Sequence, residues 1–320
     1  MNKVIRIGLK GLLQEGIRYN ASITRSLVRR VLPKWNIACG NGIGIQIGHD
    51  FAGDVAATRA RCKAAIVYLS RNRNSDLKQL TKSITLLHLN FLRRHPYAVI
   101  VFHEGIGERE RARIIAIAPN LVRFVEVSFT NPRWITEVAA KNWPWRMGYC
   151  HMCNFFAGAI YEHPAMALYD WYWRLDVDSY VLTPINYDLF AELDAAGYSY
   201  GYLTTFYEHE TVSAGLAEWV QDVVTRMRIA PKFLNKALTM DGQWNRLAFY
   251  TNFEVARLSF WRSAQFRMFW QELQASHGIY ERRWGDAPLH FIALALFEEE
   301  AKIARFTDIG YRHVNFFACP

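Results

Sequence analysis

Residues 171–182 read WYWRLDVDSYVL, a strand-like aromatic run interrupted by Asp176-Val177-Asp178. Two carboxylates two residues apart in an extended chain point the same way. Facing an open edge they can hold a divalent cation directly or through water. Buried unpaired inside a strand they would cost too much, so the pair reads as the place where the strand meets solvent. An acidic break after an apolar strand is also how nucleotide-sugar transferases place the metal that bridges a diphosphate. Acidic pairs are abundant on protein surfaces, so the surrounding chain has to carry the rest of the reading.

Upstream of that stretch, Ala64 to Leu69 reads as a buried strand, and Leu77, Leu80, Ile84, Leu87 and Phe91 form a helical stripe behind the capping candidates Asn74 and Ser75. Further apolar strands are expected at Ala98 to Phe102 and Phe124 to Val127. This strand and helix alternation predicts an α/β fold, a mostly parallel central sheet with helices on its faces. Ligands of such sheets bind at the carboxyl ends of strands, which makes Ser70, Arg71 and Asn72 candidates for a nucleotide pocket.

Composition narrows the class. The chain has 320 residues, 51% hydrophobic and 21% charged, which excludes a disordered chain or a fibre. No window offers the ~18 uninterrupted apolar residues of a spanning helix. The net charge of +9 is unevenly spread: residues 1–34 hold eight basic residues against Glu15 alone, leaving +2 for the other 286. A nearly neutral body argues against a nucleic-acid groove. Within the basic segment, Ile5, Leu9, Leu12, Leu13 and Ile17, then Ile23, Leu27, Val28, Val31 and Leu32, recur at helical spacing. One or two basic amphipathic helices are expected there, packed on the body or in peripheral contact with a membrane. Glycines 40, 42, 44, 48 and 53 match neither a P-loop nor a dinucleotide fingerprint and read as a Gly-rich strand or hairpin. Five cysteines do not make a disulfide framework, and Cys150 with Cys153 reads as packing.

Seven ordered blocks then carry a resemblance: AAIVYLSRN (64–72), GYCHMCNFFAGAIYEHP (148–164), YDWYWRLDVD (169–178), YGYLTTFYE (200–208), TNFEVARLSFWRS (251–263), YERRWGDAPLHFIALALF (280–297) and DIGYRHVNFFACP (308–320). From about Arg61 to Pro320 the chain resembles the fungal α-1,2-mannosyltransferases of glycosyltransferase family 15. The resemblance implies a GT-A fold, GDP-mannose as donor, Mn2+ as cofactor, a glycan acceptor, and transfer with retention. It implies that Asp176 and Asp178 stand at the metal-diphosphate site, where the family has Glu-Pro-Asp, and that His313 is a manganese ligand. Glu254 of NFE stands at the candidate nucleophile, and Tyr149, Arg174 and Asp286 match other active-site positions. Glu254 is expected on a short polar break before an apolar helix, and Asp286 reads as an N-cap with a proline behind it.

Two departures stand out. Where the family reads Tyr-Arg-x-Met-Cys-Arg, this chain has Cys150 and Asn154 in place of the arginines, which bears on donor identity. The family's type II membrane anchor and stem are missing, and the basic segment takes their place, so a cytoplasmic or membrane-peripheral location is expected over the Golgi lumen. The domain expectation is an N-terminal extension over 1–60 and a catalytic domain over 61–320. The alternatives are a non-catalytic glycan-binding relative or a transferase using another nucleotide sugar. The tryptophans Trp171, Trp173, Trp261 and Trp284 read as core, with room for one sugar-stacking wall.

Overall fold

The chain divides into two units, Met1–Ile37 and Ala38–Pro320. The computed structural model describes residues 38–39, 46–51, 62–136, 147–240 and 242–320, all in the second unit. The basic helices expected over residues 1–34, and most of the Gly-rich stretch, lie outside the described residues.

Strands β1 to β5 are Ala38–Cys39, His49–Phe51, Ala64–Arg71, Ala98–Glu104 and Val122–Glu126, followed by β6 (Trp171–Leu175), β7 (Tyr180–Val181), β8 (Tyr200–Tyr202) and β9 (Thr205–Tyr207). The remainder are β10 (Leu247–Phe249), β11 (Phe253–Arg257), β12 (Ile303–Phe306), β13 (Tyr311–His313) and β14 (Phe316–Cys319). The main helices are α1 (Asn74–Leu87), α2 (Glu108–Ile115), α3 (Met147–Ala157), α4 (Leu216–Arg226), α5 (Ala264–Ser276) and α6 (Asp286–Phe297). Eight strands form the central sheet in the order β2-β12-β8-β11-β6-β3-β4-β5. All its neighbours run parallel except β11, which is antiparallel to both β6 and β8.

The apolar strands are nearly continuous because the sheet is covered on both faces. Ala65 and Val67 of β3 pack with α3 and α6 residues on one side, while Ile66 and Tyr68 pack with the Leu80 and Ile84 stripe of α1 on the other. Helix α6 is apolar all round, and every residue from Asp286 to Leu296 is buried, as befits a helix inside a core. The four tryptophans are core residues, each at most 2% exposed. Helix α1 begins after Arg73 without a side-chain cap; Ser75 donates instead to Asp76, and Arg71 grips the same carboxylate at 2.6 Å.

A boundary at 60/61 does not match the way the chain packs. Strand β2 pairs in parallel with β12 at the sheet edge, and Ile47 is fully buried. Gly48 makes this possible: at φ +74°, a Cβ there would stand 1.8 Å from the Ile303 carbonyl oxygen, so only glycine lets the two backbones approach.

Candidate active site

Parallel β3 and β6 end at the same sheet edge, and antiparallel β11 begins there, which brings three loops together. The first is the acidic turn. Asp176 and Asp178 lie just past β6 in a turn, both partly exposed. Ser179 stitches that turn shut: its hydroxyl accepts from Asp176 N at 3.1 Å and donates to Asn252 O at 2.9 Å, with Tyr311 Oη 2.7 Å away. Strand β7 then pairs with β13, placing Tyr311 opposite Val181 and Arg312 opposite Tyr180. That register delivers His313, 135 residues downstream of Asp178, to the turn: its Nε2 is 3.1 Å from Asp178 Oδ1 and 3.9 Å from Asp176 Oδ2. Its Nδ1 is held 2.6 Å from Tyr250 Oη. Asn252 Nδ2 donates to Asp176 Oδ2 at 2.5 Å.

Burial alone would raise the pKa of Asp178, but the hydrogen bond and charge of His313 outweigh it and hold the carboxyl below its ordinary value. Among the described residues no three His, Cys, Asp or Glu side chains already converge as a formed metal centre. The donor chemistry nevertheless fits Mn2+, which accepts carboxylate and imidazole together. Asp178 Oδ1 and His313 Nε2, 3.1 Å apart, are close enough that both would serve one ion. Tyr250 orients the imidazole from behind, as second partners of metal-bound histidines do.

The second element is a buried charge relay. Arg174, 2% exposed, donates through Nη1 to Asp286 Oδ2 and through Nε to Asp176 Oδ1 at 3.4 Å, with its guanidinium 3.8 Å over the Phe156 ring. Burial disfavours the arginine's charge, but Asp286, Asp176 and Glu254 reverse that and push its pKa well up. Burial also raises the pKa of Asp286, yet Arg174 overrides it and the net shift is downward. Thr251 donates to the same Asp286 oxygen at 3.1 Å. Gly285, not Asp286, caps α6; the Asp286 side chain is spent on Arg174.

Glu254 departs from expectation. It stands in the middle of the sheet on β11, in register with Arg174 and Tyr202, and is 0% exposed. Tyr172 donates to Oε1 at 2.5 Å, Tyr200 donates to Oε2 at 2.9 Å, and His290 Nδ1 lies 2.8 Å from Oε2. The resemblance places a nucleophile here; the structure shows a carboxylate with both oxygens engaged by the core.

Ser70, Arg71 and Asn72 do reach the strand ends, but their polar groups are turned to local contacts: Ser70 to the Arg71 carbonyl, Arg71 to Asp76, Asn72 to the Gly105 carbonyl at 2.8 Å. Tyr149, on the first turn of α3, faces the start of α6; burial, then Cys153 and Asp286, push its pKa up. Cys150 and Cys153 are buried free thiols of α3, and Asn154 accepts from Gln274. Two guanidinium groups lie beside this helix, that of Arg174 over the Phe156 ring and that of Arg283, 4.6 Å over the Tyr149 ring. Sequence reading missed Tyr250, Thr251, Asn252, His290, Tyr172 and Tyr200. The first three lie just before Glu254 in the chain, while Tyr172 sits in the run read as a strand-like aromatic one and Tyr200 in a stretch that entered only through the resemblance.

A mostly parallel α/β sheet with an acidic turn and an imidazole at its carboxyl edge is the arrangement of a glycosyltransferase that uses a nucleotide-sugar donor. The model of the glycolipid 2-alpha-mannosyltransferase family matches residues 46–320, and the chain belongs to that family. It is an enzyme of the hexosyltransferase class. It is 32% identical over 276 residues to the probable mannosyltransferase KTR3 of Saccharomyces cerevisiae, covering 79% of this chain and 68% of the relative. It is 30% identical over 279 residues to the glycolipid 2-alpha-mannosyltransferase of the same yeast, covering 81% of this chain and 62% of that one. Among solved structures, the mannosyltransferase Ktr4p from S. cerevisiae superposes with a TM-score of 0.74 at 26% identity, covering 94% of this chain and 82% of its own. Core-mannan synthase A from Aspergillus fumigatus, in its Mn/GDP form, gives 0.72 at 24% identity over 87% and 82% of the two chains.

Membership in this family overturns the cytoplasmic or peripheral location expected from the sequence, because a type II Golgi membrane anchor normally precedes such domains. Among the described residues no helix is long and apolar enough to cross a membrane, and residues 1–37 are outside them.

Proposed function

We propose that residues 46–320 transfer an α-mannosyl group from GDP-mannose to a hydroxyl of a glycan or glycoconjugate, with retention and in α-1,2 linkage. The observation that carries this reading is the meeting of Asp178 and His313 at 3.1 Å, supported by the Mn/GDP form of core-mannan synthase A. Asp176, Asp178 and His313 would hold a Mn2+ ion, which when bound neutralises the departing diphosphate.

The chain's own groups do the rest. Arg174 bonds both Asp176 and Asp286 and orients them relative to one another, so the acidic turn is aimed before any ligand arrives. Tyr250 fixes the ring of His313, and Asn252 fixes the carboxylate of Asp176. Glu254, enclosed by Tyr172, Tyr200 and His290, supplies a fixed negative charge that favours an oxocarbenium-like transition state. With both oxygens engaged, it acts through its field, and retention would follow if the acceptor hydroxyl attacks the anomeric carbon on the face from which the diphosphate departs, the bond to the diphosphate breaking as the hydroxyl proton passes to the departing phosphate oxygen.

The test is a transfer assay on the full chain with a panel of nucleotide sugars, with and without Mn2+, and a mannoside acceptor. Mn2+-dependent transfer from GDP-mannose giving an α-linked product is expected. Transfer from another nucleotide sugar alone, or no dependence on the metal, overturns the reading.

A further inference from the structure

Helix α6 carries Asp286 and His290 four residues apart, one turn along the same face. The sheet meets them with Arg174 and Glu254, which stand opposite one another on β6 and β11. Asp286 bonds Arg174, and His290 Nδ1 lies 2.8 Å from Glu254 Oε2. All four side chains are buried. Two polar pairs therefore lie side by side in the core, and the charge of the second depends on where its hydrogens stand.

The neighbours decide that. Tyr172 donates to Glu254 Oε1 and Tyr200 to Oε2, so the carboxyl group accepts at both oxygens. Tyr161 Oη lies 3.2 Å from Tyr172 Oη. Because the Tyr172 hydrogen is spent on Glu254, Tyr161 donates to Tyr172 and can only accept from its other neighbour. That neighbour is His290 Nε2, at 3.0 Å, and the same nitrogen lies 3.0 Å from the Phe156 carbonyl oxygen, which can only accept. Two acceptors face Nε2, so Nε2 carries a hydrogen. Nδ1 faces a carboxyl oxygen that already accepts from Tyr200, so Nδ1 carries one as well. An imidazole with hydrogen on both nitrogens is a cation.

Two further observations agree. Phe156 lies in the last turn of α3, where carbonyls have no intrahelical donor and positive charge is favoured. With His290 charged, the buried quartet of Arg174, Asp286, Glu254 and His290 also sums to zero. A neutral ring would leave the charge of one carboxylate uncompensated in the core, which is the costlier arrangement.

We propose that His290 is a buried imidazolium and the positioning residue that keeps Glu254 an anion for mannosyl transfer. The assignment rests on the reading of Glu254 as a fixed negative charge in a mannosyltransferase, and it names what holds that charge in place. Without the imidazolium, the quartet is one cation short, and a proton taken up by Glu254 relieves it. Helix α6 thus orders Arg174 through Asp286 and sets the charge of Glu254 through His290.

The experiment starts with nitrogen–proton correlation NMR of the full chain carrying isotope-labelled histidine, at about pH 8, where a free imidazole of pKa ~6.5 is neutral. The wild type should show an imidazolium signal that is absent from His290→Asn. That variant keeps an amide donor toward Glu254 and removes the charge. With Mn2+, GDP-mannose and a mannoside acceptor, its kcat should fall ~10-fold or more while both KM values stay within about twofold, the split of a group that acts on transition-state charge without touching a substrate. Its infrared spectrum should gain the carbonyl band of a protonated carboxyl group, a band missing from the wild type and removed again by adding Glu254→Gln. A His290 ring with one hydrogen in the wild type, or a protonated Glu254 there, overturns the ion pair without recourse to any variant. Wild-type kcat in His290→Asn overturns the positioning role, as does a rise in both KM values with no infrared change, the mark of a loosened fold. An imidazolium in a wild type that transfers no mannose defeats the functional reading while upholding the pair.

Discussion

Asp178 and Glu254 are carboxylates at the same end of adjacent strands, yet the sheet treats them in opposite ways. Asp176, Asp178 and His313 keep 27%, 22% and 13% of their side-chain surface, and they meet where a turn and a separate small sheet touch. Glu254 keeps none and is ringed by two phenols and an imidazole. The difference is one of exchangeability. Groups at the solvent edge can trade a protein partner for a ligand at little cost, whereas a buried carboxylate that gives up its donors pays the full desolvation penalty. Binding should therefore reside at the edge and fixed electrostatics in the core.

The largest effect is expected at the edge. Asp178→Asn and His313→Ala should each abolish Mn2+-dependent binding of GDP in calorimetry while Tm moves little, because both side chains are partly exposed. Retained binding in both variants would break the division just drawn. In the core, Arg174→Met should cost about 3–5 kcal/mol in urea unfolding, since it leaves Asp286 buried without its partner. A loss under ~1 kcal/mol would show that the relay is as exchangeable as the edge.

Glu254→Gln tests the core from the catalytic side. Turnover should fall by ~10² or more with GDP binding retained, the scale of removing one group aimed at transition-state charge. Stability should fall as well, because one amide oxygen cannot accept from Tyr172, Tyr200 and His290 together. Turnover within a few-fold of wild type would make Glu254 a structural carboxylate. The smallest effect is expected from Tyr250→Phe, which frees the ring of His313 without touching a ligand: Mn2+ affinity should drop ~10-fold, measured by titration with GDP present.

How much of this was legible beforehand varies residue by residue. Asp176 and Asp178 announced themselves by interrupting an apolar strand, and the apolar runs 64–69 and 98–102 announced two further strands by their unbroken hydrophobicity. Arg174 was nameable from the family pattern, but its bridging of Asp176 and Asp286 was not, since the partners lie 2 and 112 residues away. Asp286 and Glu254 were read as helix-start carboxylates by local rules. Both are instead held by long-range partners, because β11 runs antiparallel between β6 and β8 and presents Glu254 beside the phenols of Tyr172 and Tyr200. Ser70, Arg71 and Asn72 were located correctly at the sheet edge, but side-chain direction depends on turn geometry that periodicity does not carry.

The sequence by itself determined the α/β class, the strand ends where chemistry could sit, and, through seven ordered blocks, the family. Those properties follow from local periodicity and from residue identity at short spacing, which a linear reading preserves. Only the tertiary structure decided which of the acidic residues face solvent and which are enclosed, that β2 belongs to the central sheet, and that His290 meets Glu254 one helical turn beyond the pair of Asp286 and Arg174. Those depend on strand order and register between segments up to about 250 residues apart, and pairing at that distance is set by how two faces of one sheet are covered, not by any neighbour in the chain.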